Sequence, residues 1–254
     1  MNYNKKSIAA KQKELTASGR RMMSKASVMS LRITLVLFVT VMVCGIMASL
    51  GVLRGIIDTA PSIDTIDVSP EGYSTKIYDS QGNLTQTLIG QNANRIYVPL
   101  SEIPDVVQNA FIAIEDERFR EHDGIDVRGI LRAAQNTLTH GDLSQGASTI
   151  TQQLLKNTVF NGGSEKSDLA KIQRKIQEQY LAIQLEQVLD KNTILEYYLN
   201  TINLSQNTLG VQAASLRYFG KKVSELTLSE ASVIAGITQN PSAYNPITHP
   251  EDNN

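Results

Sequence analysis

A run of 21 residues without a charged side chain constrains this chain more than any other feature. The run covers 33–53 and reads ITLVLFVTVMVCGIMASLGVL. At about 1.5 Å per residue, a helix of this length crosses the roughly 30 Å hydrocarbon core of a bilayer. The apolar region of a signal peptide is shorter, about 7–15 residues, and small residues follow it at a cleavage site. We therefore predict a transmembrane helix at 33–53.

Charge is distributed unevenly around this run. Residues 1–32 contain eight basic side chains and one acidic side chain, whereas the whole chain has a formal net charge of −1. Basic segments are retained on the cytoplasmic side of a membrane. We expect a basic cytoplasmic tail at 1–32, a linker or stalk at 54–72 and a domain on the outer side. Membrane lipid, and not a nucleic acid, is the expected partner of the basic segment.

The composition of the chain excludes several classes of protein. The apolar fraction of 41% is too high for a disordered chain. The single cysteine, Cys44, lies in the apolar run and cannot form an intramolecular disulfide. The three histidines, at 122, 140 and 249, show no paired spacing such as HExxH. We expect no metal site built from a cluster of protein side chains.

The external part is predicted to be mainly α-helical behind a small β element. Two short alternating runs flank Ser80-Gln81-Gly82-Asn83, which indicates a β-hairpin. Beyond Pro99 the periodicity is helical. The predicted helices cover 104–114, 127–139, 149–156, 168–189, 193–200, 211–219 and 228–239. Thr227 and Glu230 have the spacing of a capping box at the start of the last helix.

Glu115 is the first candidate for chemistry. It closes the apolar run 110–114, so the chain places a carboxylate where a buried segment reaches the surface. Such a position suits a general base. The alternative is that Glu115, Asp116 and Glu117 form a solvated acidic cluster after a helix.

A polar stripe follows in the segment GASTITQQLLKN, 146–157. Spacings of three and four residues place its members on one helical face: Thr149, Gln152, Gln153 and Lys156. Surface helices normally carry Glu and Lys there, so this stripe either hydrogen-bonds a polar ligand or is an ordinary solvated face. Ser148 lacks the following glycine of a nucleophile elbow.

The segment RKIQEQYLAIQLE, 174–186, contains a second glutamate of interest. Arg174 and Lys175 have the spacing of ordinary surface ion pairs with Glu178. However, Glu178 shares its helical face with Leu181, Ala182 and Leu185, which indicates that it points inward or into a cleft. Two glutamates at the edges of apolar faces, with basic residues nearby, favour acid/base chemistry on an anionic substrate.

Four segments together resemble the main motifs of the peptidoglycan glycosyltransferases, glycosyltransferase family 51. They are EDERFREHDG, GASTITQQLLKN, RKIQEQYLAIQLE and ILEYYLN. The continuations GVQAASLRYFGK and LTLSEASVIAGITQNPSAYNP are also similar to that family. The resemblance implies a mainly α, lysozyme-like domain at 73–247 with a membrane-adjacent jaw, in a bacterial cell membrane. It also implies polymerisation of lipid II into β-1,4 glycan strands with release of undecaprenyl pyrophosphate.

The resemblance implies roles for individual residues. Glu115 would be the general base, and Glu178 would hold or protonate the leaving diphosphate, directly or through Mg²⁺ or Mn²⁺. The implied substrate-binding residues are Ser148, Thr149, Gln152, Gln153, Lys156, Arg174 and Lys175. The implied motif or structural residues are Asp116, Phe119, His122, Gly124, Asn157, Glu196 and Asn200.

Other functions remain open from the sequence alone. A lysozyme-like peptidoglycan hydrolase or lytic enzyme would use the same fold, but it needs no cations for a diphosphate. A membrane-anchored scaffold of the cell-wall synthesis proteins is the third alternative. The stretch 201–210 departs from the family's usual aromatic and glycine-rich sequence. No SxxK or KTG motif occurs, and 248–254 resembles the start of the linker in two-domain class A penicillin-binding proteins.

Overall fold

The computed structural model describes residues 4–73, 75–88, 94–140 and 146–249. These residues contain eight α-helices and one two-stranded sheet. The chain divides into two compact units, Met1–Asp58 and Thr59–Asn254. The predicted mainly α class with a small β element is confirmed.

The first unit is a single long helix, α1, at Lys5–Asp58. It includes the predicted span but also most of the predicted tail and the first residues of the predicted linker. No proline occurs before Pro61, so nothing interrupts the helix earlier. An 18-residue window within Lys25–Thr65 has a mean hydropathy of 2.5, and none of it is buried inside the structure. The helix is therefore long and apolar enough to cross a membrane, and it is not a buried core helix.

The second unit begins earlier than the sequence predicts. We expected a linker at 54–72, yet the described structure packs part of that segment onto the domain. Val68 is 5% exposed and belongs to the main hydrophobic core, with Ile63 and Ile66 packed against it. The Thr59 hydroxyl accepts a hydrogen bond of 3.0 Å from the side-chain amide of Gln177. Scattered apolar residues thus tie this segment down although it has no helical period.

The predicted hairpin is present. Strands β1, Thr75–Tyr78, and β2, Leu84–Leu88, pair in antiparallel fashion. The Asp79 carboxylate accepts hydrogen bonds from the backbone N–H groups of Gln81 and Asn83, at 2.9 and 2.8 Å. Gly82 has a φ of +85°, which favours glycine in the turn.

All of the predicted helices beyond Pro99 are present in the described residues. They are α2 Asp105–Glu115, α3 Val127–His140, α4 Ile150–Thr158, α5 Asp168–Val188, α6 Lys191–Thr201, α7 Val211–Phe219 and α8 Leu228–Gly236. Helix α6 starts before the predicted residue 193 because the Asp190 carboxylate caps it, accepting from the N–H groups of Asn192 and Thr193. Helix α8 gives way to a 3-10 turn at Ile237–Gln239. The Thr227–Glu230 capping box is confirmed.

Helix α4 packs against α5 and α6, while α2 packs against α8. The core that they enclose contains Phe111, Phe119, Leu154, Leu181 and Tyr198, all without exposed surface. This packing brings the end of α2, the polar face of α4 and the middle of α5 to one region of the surface.

Two predicted structural residues on α6 hold the segment that precedes α2. Asn200 accepts from the backbone N–H of Val98 and donates to its carbonyl, both at 2.9 Å. Glu196 accepts from the N–H of Leu100 at 2.6 Å and from the Tyr97 hydroxyl. The hydrogen bond to Glu196 raises the pKa of Tyr97 to about 12. Glu196 and Asn200 therefore fasten the chain entering α2.

Candidate active site

Glu115 is the last residue of α2 and is half-buried. The side-chain amide of Gln153 donates to its Oε2 at 2.5 Å. The amide of Gln239 lies 3.5 Å from its Oε1. Within the part of the chain that the structure describes, no cation lies within 4.0 Å of this carboxylate. Glu115 is thus held by neutral donors at the end of an apolar helix.

Glu178 has a very different environment. Its side chain has no exposed surface, and Arg174 donates to its Oε1. The ammonium of Lys175 lies 3.1 Å from its Oε2 and also donates to the Ser148 hydroxyl at 2.6 Å. The three charged residues share one face of α5 because they are spaced by three and four positions. Complete burial confirms that Glu178 points inward and is not part of an ordinary surface pair.

The two glutamates line the same cleft, which has a volume of about 310 Å³. Its lining comes from α2, α4, α5, the segment before α4 and the 3-10 turn after α8. The lining residues are Ile114, Glu115, Gly146, Ser148, Gln152, Gln153, Lys156, Lys175, Glu178, Thr238 and Gln239. The polar face of α4 therefore borders a cleft and is not an ordinary solvated face.

Gln152 is the most unusual of the residues in the lining. It is 1% exposed, and in the described structure neither its amide nitrogen nor its amide oxygen has a hydrogen-bond partner. Buried polar groups are nearly always hydrogen-bonded. The amide of Gln152 can therefore both donate to and accept from a ligand in the cleft.

Two predicted substrate-binding residues lie outside the cleft lining. Thr149 is 1% exposed and caps α4, accepting from the N–H of Gln152 at 3.2 Å and donating to the Gly124 carbonyl at 2.7 Å. Its hydroxyl is therefore used within the scaffold. Arg174 is bound to Glu178 and, through Nε at 2.8 Å, to Glu165.

Asp116 joins the end of α2 to the start of α4. It is 6% exposed and accepts from the backbone N–H of Ile150 at 3.0 Å. Nε2 of His122 lies 2.9 Å from the same carboxylate, and the His122 ring meets that of the fully buried Phe119 edge to face. Since Asp116 directly follows Glu115, the hydrogen bond from Ile150 to Asp116 fixes the position of Glu115 relative to α4.

Gly124 lies against the backbone of α5. Its φ is +87°, and a Cβ there would stand 2.5 Å from the carbonyl carbon and oxygen of Ala182. No other residue can occupy this position without moving α5. Asn157 is half-buried in the last turn of α4.

The family of this chain follows from its similarity to known proteins. A family model described as Transglycosylase matches residues 81–254. The chain belongs to the transglycosylase family. This confirms the resemblance that the four motifs indicate.

Curated relatives of this transglycosylase are penicillin-binding proteins. Penicillin-binding protein 1A of Clostridium tetani is 41% identical over 219 residues, which are 85% of this chain and 27% of that protein. Penicillin-binding protein 1A of Escherichia coli is 44% identical over 213 residues, or 84% of this chain and 24% of that protein. The chain thus spans about a quarter of the length of these relatives.

Among solved structures, penicillin-binding protein 1A from Haemophilus influenzae aligns with 72% of this transglycosylase and 16% of its own chain. The sequence identity is 24% and the TM-score is 0.35. The family assignment rests on the sequence matches and not on this alignment.

Three residues near the cleft of this transglycosylase could not be identified from the sequence. Thr238 and Gln239 belong to a segment that resembles the family, but nothing in its spacing predicts that it returns to Glu115. Tyr198 is fully buried, and its hydroxyl has no partner in the described residues. Burial first, and then the charges of Glu115 and Asp116, raise the pKa of Tyr198 well above its usual value. The phenol therefore stays neutral beneath the two carboxylates.

Proposed function

We propose that this transglycosylase domain polymerises lipid II into β-1,4 glycan strands and releases undecaprenyl pyrophosphate. The observation that supports this most directly is the composition of the cleft. One wall presents a carboxylate held by neutral amides, and another presents the ammonium groups of Lys156 and Lys175. The first can take a proton and the second can bind a diphosphate.

In the proposed reaction, Glu115 accepts the proton of the 4-hydroxyl group of the acceptor sugar. The acceptor oxygen then forms a bond to the anomeric carbon of the growing chain from the face opposite the leaving group. The bond from that carbon to the diphosphate oxygen breaks, and the oxygen keeps the electron pair. The product has the inverted, β configuration, and the proton stays on Glu115 until solvent removes it.

Negative charge builds up on the leaving diphosphate as this bond breaks. Cations already fixed beside it stabilise that charge without reorganisation. Lys156 and Lys175 line the cleft and are suited to this role. Glu178 accepts from Arg174 and Lys175 with its two oxygens. We therefore assign to Glu178 the task of orienting these cations, in preference to protonating the leaving group.

The sequence resemblance allows a divalent ion near Glu178, but the side chains there do not provide a site for one. The described residues contain no group of three His, Cys, Asp or Glu side chains placed to hold a metal ion. Both oxygens of Glu178 already face cations, which would repel Mg²⁺ or Mn²⁺. The donor set at Glu178 does not fit such an ion, and no step of the proposed reaction uses one.

We further propose that the protein crosses the membrane once, with its basic N-terminal segment in the cytoplasm and the catalytic domain outside. The uneven charge on the two sides of the apolar run supports this orientation. Helix α3 supports lipid contact, because Val127, Leu131 and Leu138 lie on one face and are 56%, 65% and 87% exposed. Partners of the wider cell-wall synthesis machinery remain a prediction from the resemblance.

Incubation of the detergent-solubilised protein with labelled lipid II tests the proposed function. We expect glycan polymer and released diphosphate lipid. Cleavage of purified cell-wall sacculi without polymer would instead identify a hydrolase or lytic enzyme. Neither activity, in a protein that remains folded, would favour a scaffold.

A further inference from the structure

The loop between α4 and α5 carries a carboxylate that the proposed reaction does not use. Glu165 lies in this loop and accepts from Nε of Arg174 at 2.8 Å. Its side chain is 23% exposed, and that of Arg174 is 13% exposed. Glu165 and Glu178 together hold Arg174 away from the cleft lining.

The loop between α4 and α5 lies directly against two basic residues, Lys156 and Arg174. The N–H of Gly162 donates to the carbonyl of Lys156 at 2.9 Å. A Cβ on Gly163 would stand 3.0 Å from Cε of Lys156 and 3.1 Å from Cζ of Arg174. Gly163 also has a φ of +76°, so glycine alone allows this close approach without strain. The loop thus places Glu165 beside Lys156 and Arg174.

When a diphosphate binds in this region, positive and negative charges balance only if one of the two carboxylates moves away. The basic cluster consists of Lys156, Arg174 and Lys175, and two carboxylates, Glu165 and Glu178, face it. A diphosphate diester brings two ionised phosphoryl groups. With both carboxylates in place, four negative groups would then share three cations. Loss of one carboxylate leaves three of each.

The structure distinguishes which carboxylate can leave. Glu178 is fully buried on a helix and is bound to two cations. Glu165 is partly exposed, it forms an ion pair with Arg174, and it follows a stretch of left-handed residues, Asn161, Gly162 and Gly163. Its own backbone N–H first, and then Arg174 and Lys156, hold the pKa of the Glu165 carboxyl below its usual range. The Glu165 carboxyl is therefore ionised near neutral pH, but it is carried by a loop and not by a helix.

We propose that Glu165 is an exchangeable counter-ion: the substrate diphosphate displaces it from Arg174, which then turns toward the cleft. The inference rests on the proposed function in that the cleft must bind a diphosphate. Glu165 acts through Arg174 and is a specificity-determining residue. It favours ligands with at least two negative charges, since a singly charged anion cannot replace the carboxylate and also neutralise the lysines.

Binding of inorganic pyrophosphate to the detergent-solubilised full chain tests the exchange, measured by isothermal titration calorimetry. We expect Glu165→Gln and Glu165→Ala to tighten binding by about threefold to tenfold, because an internal competitor is removed. Damage to the fold would weaken binding and cannot produce this gain. The matched control is Asp168→Asn, which removes a charge near the end of the same loop. Asp168 is 92% exposed and paired with Lys171 at 3.0 Å, whereas the described ion pairs of Arg174 are with Glu165 and Glu178.

Three results would overturn the counter-ion role. They are unchanged binding in both Glu165 variants, weaker binding in both, and equal tightening in Asp168→Asn, which would indicate a general field effect. Thermal melting establishes that at least one Glu165 variant is folded. Lipid II polymerisation by the parent protein is measured separately. Tighter pyrophosphate binding in the Glu165 variants, without polymerisation by the parent, contradicts the proposed function but supports the exchange. Polymerisation by the parent, without tighter binding in the variants, supports the proposed function but contradicts the exchange.

Discussion

The two glutamates of the cleft differ in almost every physical respect. Glu115 is half-buried at the end of α2 and is contacted by neutral amides. Glu178 is fully buried within α5 and is paired with two cations. The same side chain therefore has two different environments in one cleft. In the proposed reaction, the carboxylate without a paired cation accepts a proton, and the carboxylate between two cations orients them.

The largest effect is expected at Glu115. Replacing it by glutamine keeps the shape but removes the proton acceptor, so kcat for lipid II polymerisation should fall by about 100-fold to 10,000-fold. Pyrophosphate binding and the melting temperature should stay close to those of the parent. Polymerisation within about tenfold of the parent would show that Glu115 is not the general base.

Replacement of Glu178 tests whether this buried carboxylate orients Arg174 and Lys175. Glu178→Ala leaves Arg174 and Lys175 without their common partner, and loss of one member of a buried ion pair costs about 3–5 kcal/mol. We expect the lower end of this range because Lys175 is 40% exposed. A lower melting temperature and weaker pyrophosphate binding should accompany the loss of activity. Full stability with lost polymerisation would instead indicate a direct chemical role for Glu178.

A smaller effect is expected from the neutral donor to Glu115. Gln153→Ala removes the 2.5 Å hydrogen bond that orients the carboxylate. Hydrogen bonds to charged groups contribute about 1.5–3 kcal/mol, and partial exposure reduces this, so kcat should fall by about tenfold. Gln187→Ala, on the exposed face of α5, is the control and should leave kcat within about twofold. Equal losses in both variants would show that orientation of Glu115 does not depend on Gln153.

The smallest effect concerns a carboxylate outside the cleft, which gives a reference for both glutamates. The hydrogen bond from Lys221 first, and then those from Thr227, lower the pKa of Glu230 to about 2. A lowered pKa stabilises the folded state above the unfolded-state value, about 4.5, and this contribution is lost as the pH falls toward 2. Thermal melting of the parent should therefore decline over this window more than that of Glu230→Gln. Parallel pH profiles would show that the Glu230 contacts do not affect stability.

The periodic parts of the site could be predicted from the sequence. Helical spacing alone places Gln152, Gln153 and Lys156 on one face, and it turns Glu178 inward with Leu181. The remaining features depend on contacts between segments that lie far apart in the chain or in loops. Periodicity does not reveal that Glu165 reaches Arg174, or that Gln239 returns to Glu115. Nor does it show that the Thr149 hydroxyl caps α4 and donates to the Gly124 carbonyl.

The predicted linker illustrates the same limit. Residues 55–70 have no helical period, and the sequence therefore indicates a linker or stalk at 54–72. Val68 nevertheless lies in the core, because apolar residues without a pattern can still be buried when a distant helix offers them a surface. Such docking is a property of the assembled domain and not of the local sequence.

The two hydrogen bonds at the start of α4 have a consequence for how this fold can change. Asp116 binds the backbone N–H of Ile150, and Thr149 binds the carbonyl of Gly124, so Asp116 and Gly124 both lie against the start of α4. Helix α3 lies between Gly124 and Thr149 in the chain, so these contacts close a loop that contains it. Because lengthening a closed loop costs little free energy, we expect changes on the outer surface of α3 to leave both contacts in place.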